Sequence, residues 1–272
     1  MAIRADFHLH SSFSGDSKAP MVEMVERGIA MGLRQMCFTE HMDFDFPVSE
    51  GIPKGFFEVN TDAYLYELLR CRAVYGDRIK LCFGVELGLQ AYLAEVQEGY
   101  VNSFPFDFII GSSHLCNGKD PYDAGFFVGR SEEAAYREYF ESIIDNLEVF
   151  HDFDIYGHLD YVVRYGPDQD KFYTYEKYRD LFERMLELLL ENGIGVEVNT
   201  GGIGYGLKEL HPCREVLKRY HDLGGEIVTV GSDAHRPADI CREFKRAEDF
   251  LRDCGFSYYT VFDRRTASFI KL

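Results

Sequence analysis

Short, mostly apolar runs alternate along the chain with longer stretches in which apolar residues recur every three to four positions. The short runs fall at 3–8, 35–39, 79–86, 106–112, 153–157, 194–199, 226–231 and 258–262. These short apolar runs read as strands. The longer stretches, at 21–31, 62–75, 91–101, 132–148, 175–191, 212–223 and 238–251, read as helices. Leu181, Met185, Leu188 and Leu189 stripe one face of the fifth, and Gly224-Gly225 stops the sixth. Strand and helix in repeated alternation predict parallel strands joined by crossover helices. No linker rich in Pro or Ser divides the chain, so a single α/β domain over 1–272 is expected. A closed or nearly closed (β/α) barrel is favoured over an open doubly wound sheet.

Two connections are longer than such a fold needs: 42–60, rich in Phe, Pro and Asp, and 116–130, rich in Gly and Asp. Long loops in compact domains usually carry function. Their phenylalanines (Phe44, Phe46, Phe56, Phe57, Phe126, Phe127) either roof a pocket or pack onto the barrel rim. The run Gly201-Gly202-Ile203-Gly204-Tyr205-Gly206 matches neither a dinucleotide fingerprint nor a P-loop and reads as a flexible turn. Composition then narrows the function. With 29 Lys+Arg against 46 Asp+Glu, the net charge of −17 repels phosphate backbones, and no local basic patch offsets it, so no nucleic acid is expected. No run of about 18 apolar residues predicts a membrane span, and the first residues lack the pattern of a signal peptide. Seven scattered cysteines without a C-x-x-C pair suit a reduced, cytoplasmic chain.

The histidines are distributed unevenly. His8, His10, His41, His114, His158 and His235 fall at or just past the C-terminal ends of predicted strands, and Glu86 and Asp233 share that level. In a barrel of parallel strands those ends meet on one face, where barrel active sites are built. Imidazoles and carboxylates crowded together there are costly without a counter-charge. A metal cluster supplies one, because this mixed donor set suits Zn, Mn or Fe. Each residue also has a plain alternative as a strand end, cap or loop group, but independent surface groups have no reason to recur at one level of six strands. His151, His211 and His221 fall in or beside helices and read as surface residues.

In order, the chain spells Asp6-Phe7-His8-Leu9-His10, Thr39-Glu40-His41, Gly84-Val85-Glu86, Ser112-Ser113-His114, Gly157-His158-Leu159-Asp160, Glu197-Val198-Asn199 and Gly231-Ser232-Asp233-Ala234-His235. This set resembles the PHP (polymerase and histidinol phosphatase) family, and within it the stand-alone histidinol-phosphate phosphatases of histidine biosynthesis. The resemblance implies a distorted (β/α)7 TIM-like barrel with three divalent metal ions at the C-terminal face of the strands. Carried over residue by residue, His8, His10, Glu86 and Asp233 would hold the first. Glu86 would bridge to a second, completed by His114 and His158, and His41, His235 and Asp16 would hold the third. Many relatives have histidine where this chain has Asp16.

The implied reaction is hydrolysis of a small phosphomonoester, most simply L-histidinol phosphate, by a metal-bound hydroxide and without a phosphoenzyme. Asp160 would orient His158 or protonate the leaving alkoxide. Arg164 matches a phosphate-gripping arginine of the subgroup. A second arginine, expected shortly after Glu-x-Asn, is missing here, and Lys208 is the candidate substitute, without the guanidinium fork. Asp43, Asp45 and Glu50 could meet the ammonium of an amino alcohol. The alternatives are another small phosphomonoester, nucleic acid ends, a binding module whose metal site has decayed, or an amide hydrolase on a similar barrel. The last usually needs a metal-bridging modified lysine, and no lysine stands at the C-terminal end of a strand. The pattern is silent on oligomeric state.

Overall fold

The structure is a computed structural model and describes residues 2–272. Seven parallel strands follow one another around the sheet in chain order: β1 (Ala5–Leu9), β2 (Gln35–Met42), β3 (Lys80–Gly88), β4 (Phe108–Ser112), β5 (Ile155–Tyr156), β6 (Gly195–Asn199) and β7 (Val228–Gly231). Neighbours in sequence are neighbours in space because each crossover helix returns the chain in the same direction. The helices are α1 (Met21–Met31), α2 (Thr61–Tyr75), α3 (Ala94–Val101), α4 (Glu132–Val149), α5 (Arg179–Glu191), α6 (Arg214–Asp222) and α7 (Phe244–Asp253). The sheet curls into a nearly closed barrel. At its seam, β1 and β7 meet through a parallel bridge between Leu9 and Ala234. His10 N donates to Ala234 O (2.9 Å) and Asp233 N to His8 O (2.8 Å).

Local chemistry explains the helices. In α4, Ser131 Oγ accepts from Ala134 N, Glu132 and Glu133 occupy the first turn, and Ala135, Tyr139, Ile143, Asn146 and Leu147 bury one stripe. Asn60 caps α2 in the same way, and Gly32, at φ 83°, ends α1 in the left-handed conformation that glycine adopts freely. The buried stripes cover strands that are themselves buried on both faces.

Several sequence expectations shift, three of them in ways that matter to the architecture. The strand expected at 153–157 shortens to the two residues of β5, and the helix expected from 238 begins at Phe244. The run at 258–262 is a strand but not a barrel stave: β8 (Tyr258–Asp263) pairs antiparallel with β9 (Thr266–Lys271). This hairpin lies across the N-terminal ends of the barrel strands. Gln35 Nε2 donates to Phe262 O (3.0 Å), Val228 N to Thr260 Oγ1 (3.1 Å), and Arg265 to Asp154 (2.8 Å). The opposite end of the barrel stays open. No helix among the described residues is long and apolar enough to cross a membrane.

Candidate metal centre

Strand register brings the donors together. Pairing of β2 with β3 sets His41 directly beside Glu86, and β1 carries His8 inward from the other side of β2. His10, His114, His158, Asp233 and His235 follow one to four residues after a strand end, and Asp16 comes from the loop into α1. Glu86 is the hub. Its Oε2 lies 3.1 Å from His8 Nε2, 3.5 Å from His10 Nε2 and 3.1 Å from His41 Nδ1. Its Oε1 lies 3.1 Å from His114 Nε2 and 2.9 Å from His158 Nε2. Asp233 Oδ1 stands 3.7 Å from His8 and 3.6 Å from His10. Asp16 Oδ2 lies 3.1 Å from His235 Nε2 and 3.5 Å from His41 Nε2.

The rings are aimed by partners on their far side. His8 Nδ1 donates to Glu197 Oε1 (2.7 Å), His114 Nδ1 to Asp43 Oδ1 (2.7 Å), His10 Nδ1 to Ser14 Oγ (3.1 Å), and His235 Nδ1 to the Asp233 carbonyl (3.0 Å). Each bond fixes a tautomer with the Nε2 lone pair turned into the cluster, as metal-binding imidazoles require. Within it, the Nε2 atoms of His8, His10 and His235, His41 Nδ1 and Glu86 Oε2 are buried without a hydrogen-bond partner among the described residues. Buried polar atoms are normally satisfied, and a cation answers all of these lone pairs at once. Four triads converge closely enough to share an ion: His8/His10/Asp233, His8/Glu86/His158, His41/Glu86/His114 and His10/His41/His235.

The electrostatics agree. Burial opposes ionisation of Glu86, but His8, His114 and His41 hold its carboxyl well below the usual carboxylate range. Burial likewise works against protonated His8, yet Glu197, Glu86 and Asp233 raise it well above an ordinary histidine. His114 rises to about 10 against burial, driven by Asp43 and Glu86. Burial, helped by His235 and His41, pushes His10 well below its usual value, and burial takes His158 down to about 4. Protein groups alone therefore balance the central carboxylates by protonating some rings at the expense of others. A metal ion would balance them with every ring neutral.

A cavity of about 670 Å³ opens over the cluster. Phe46, Phe56 and Phe57 form one cluster of rings in its wall and Tyr122, Tyr161, Tyr165 and Tyr205 another. Of the six loop phenylalanines, Phe126 and Phe127 instead pack down into the core, as does Phe44 in part. Asp43 and Glu50 line the cavity, whereas Asp45 does not and pairs with Tyr92 (3.5 Å).

Arg164 is buried on the cavity wall. Its Nη2 donates to Asn199 Oδ1 and Asp233 Oδ2 (3.0 Å each), and its Nε to His211 Nε2 (3.0 Å). His211 corrects the surface reading of the sequence, being 1% exposed. Its Nδ1 donates to Asp160 Oδ1 (2.5 Å). Asp160 is corrected with it. Its oxygens accept from His211, Cys213 N and Tyr173 Oη and make no bond to His158. Burial opposes its ionisation, but His211 and these donors lower its pKa. Lys208 is also corrected: its side chain is 74% exposed, faces Asp170 at 3.7 Å and lies outside the cavity.

A family model described as PHP domain matches residues 6–201. The chain belongs to the PHP domain family. Among curated PHP relatives, histidinol-phosphatase of Lactococcus lactis is 32% identical over 260 residues, covering 95% of this chain and 94% of the relative. A protein of Clostridium acetobutylicum named "Probable histidinol-phosphatase" is 31% identical over 253 residues, covering 92% and 93%. The crystal structure of the Lactococcus lactis histidinol phosphate phosphatase, complexed with Zn, L-histidinol and phosphate, superposes with a TM-score of 0.87 at 30% identity. The match covers 97% of this chain and 98% of that one.

The sequence left several supports of this PHP site unassigned. Glu197 was legible in outline, since period-two alternation along β6 places it inward with Asn199. Glu40 accepts from Ser11 and Ser14 and so braces the loop behind His10. Asp6 accepts from Ser232 N (3.0 Å) and Oγ (2.6 Å), tying β1 to the end of β7. Burial pushes its carboxyl up to about 6. The glycine-rich run is a 3-10 turn, Gly201–Tyr205, that borders the cavity.

Proposed function

We propose that this chain is a cytoplasmic enzyme of histidine biosynthesis that hydrolyses L-histidinol phosphate to L-histidinol and inorganic phosphate with three divalent metal ions. The convergence of partnerless buried imidazole nitrogens on Glu86 Oε2 carries the reading. The names of the relatives and the ligands of the Lactococcus lactis structure support the substrate. The cysteines are free and buried, which supports a reducing compartment. His8, His10, Glu86 and Asp233 would hold one ion, Glu86, His114 and His158 a second, and His41, His235 and Asp16 a third. When bound, the ions supply an acidified water and offset the charge of the phosphoryl oxygens.

The chain's own groups do the positioning. The His211 tautomer follows from its two bonds: it donates from Nδ1 to Asp160 and accepts at Nε2 from Arg164. Asp160 is therefore a positioning residue that acts through His211 to fix the guanidinium plane. With Nε and Nη2 of Arg164 committed, Nη1 remains for a phosphoryl oxygen. The ring wall excludes water from the alcohol half of the substrate. The test is phosphate release from L-histidinol phosphate by Mn- or Zn-loaded protein beside a chelated control. Fast release abolished by chelation is expected. Metal-dependent cleavage of an aryl phosphate without cleavage of histidinol phosphate would discard the substrate, and no release from either would overturn the phosphatase.

A further inference from the structure

Arg164 is not the only guanidinium at the cavity. Arg242, in the segment between β7 and α7, lines it as well. Its position is set by a gap in another loop. The Gly201–Tyr205 turn is a 3-10 helix, in which residues three apart share one face and are separated by about 6 Å along the axis. Gly201 and Gly204 are such a pair. A Cβ on Gly201 would stand 3.0 Å from both Asn199 Oδ1 and Asp233 Oδ2, and a Cβ on Gly204 would lie 2.5 Å from Arg242 Nη1. The two glycines open successive berths on one face of the turn. The first admits a carboxylate of the metal centre and the second a guanidinium, one turn further along the cavity wall.

The charge around Arg242 is not used up. Its Nη2 donates to Asp239, but Arg236 also donates to Asp239 from Nε (3.0 Å) and Nη2 (2.9 Å). One carboxylate between two guanidinium groups leaves a surplus positive charge on this rim, while Nη1 of Arg242 has no acceptor among the described residues. Asp43, Glu50 and Asp120 also line the cavity, without a guanidinium partner among the described residues. An anion entering this pocket of a strongly acidic chain is drawn to the side of Arg164 and Arg242.

We propose that Arg242 is a substrate-anchoring residue that grips the phosphoryl group together with Arg164, in the role for which Lys208 lies too far outside. The proposal rests on the phosphatase reading. Its test measures binding of inorganic phosphate to the metal-loaded protein by calorimetry, alongside KM and kcat for histidinol phosphate. Arg242→Ala is expected to weaken phosphate binding roughly ten- to a hundredfold, the loss typical of one charge-assisted bond. KM should rise in parallel, with kcat and metal content little changed. Arg242→Lys should recover only part of the loss. Gly204→Ala, which crowds the guanidinium from its berth, should shift phosphate binding in the same direction by less. Phosphate binding by Arg242→Ala within twofold of the parent overturns the anchor, whatever the turnover. A parent that binds phosphate through Arg242 yet cleaves no phosphomonoester overturns the phosphatase reading and keeps the anchor.

Discussion

Glu86 faces five imidazoles with its two oxygens, so it carries more of the centre than any other residue. Replacement by Gln keeps its shape and removes the charge that two ions would share. Glu86→Gln should lose at least one metal and about 10³-fold in kcat, equivalent to roughly 4 kcal/mol of transition-state stabilisation. Metal analysis beside phosphate release reads both, and full activity in this variant would sink the cluster. Glu197→Gln is milder, because Glu197 aims His8 from behind. It should cost about 10- to 100-fold in metal affinity or activity. The convergence of the histidines on Glu86 was legible because recurrence at strand ends is visible in one dimension. Asp160, His211 and Lys208 were not, because they were judged by sequence neighbours alone. His211 reaches Arg164 across 47 positions, and no spacing rule reports such a contact.

Strands and helices were legible to the extent that burial was uniform. β3 and α5 follow their apolar patterns closely, whereas two elements followed rules the pattern hides. Before α7, Cys241 and Glu243 take left-handed backbone (φ 59° and 55°), which delays the helix and holds Arg236 and Arg242 at the rim. The β8–β9 hairpin turns at Arg264 and Arg265, with φ of 48° and 61°. Tight hairpins usually announce themselves by Asn-Gly at such positions; here tertiary contacts hold the turn instead. Arg264 N and Arg265 N donate to Asp107, and the Arg265 guanidinium pairs with Asp154 and Asp152. Arg265→Ala keeps the backbone cost and leaves Asp154, largely buried, without its cation. It should destabilise the loaded protein by about 1.5–3 kcal/mol in urea unfolding while leaving kcat unchanged. Arg265→Gly should cost less, since glycine relieves the left-handed turn.

Across the whole molecule, metal, protons and stability are linked. His8 and His41 are raised well above 6.5, and His114 to about 10, so without metal these rings hold protons at pH 7 that a cation must displace. Apparent metal affinity should therefore rise with pH, and calorimetry in buffers of different ionisation heat should show net proton release. The signs also set the stability of the metal-free protein. Glu86 and Asp233 are depressed, so their contribution is present above their ordinary values of 4.5 and 3.8 and is lost as pH falls. The raised histidines contribute fully below 6.5 and lose it as pH climbs through their folded values. The lowered His10 and His158 work the other way, their contribution being lost as pH falls below 6.5. Chelated protein should therefore melt highest near pH 6.5, and loading should extend that optimum upwards. Thermal melts across pH test this, and a loaded optimum no higher than the chelated one would contradict it.

The seam between β1 and β7 gives the centre a place in time as well as in space. His8 and His10 come from the first strand, and Asp233 and His235 follow the last, so the cage exists only once the final stave has docked against the first. Closing so long a loop is slow compared with local helix formation. A half-folded chain offers scattered donors and no cage. Capture of the cation thus acts as a completion signal for folding. Its time course in a refolding experiment should track the last cooperative step rather than the early collapse.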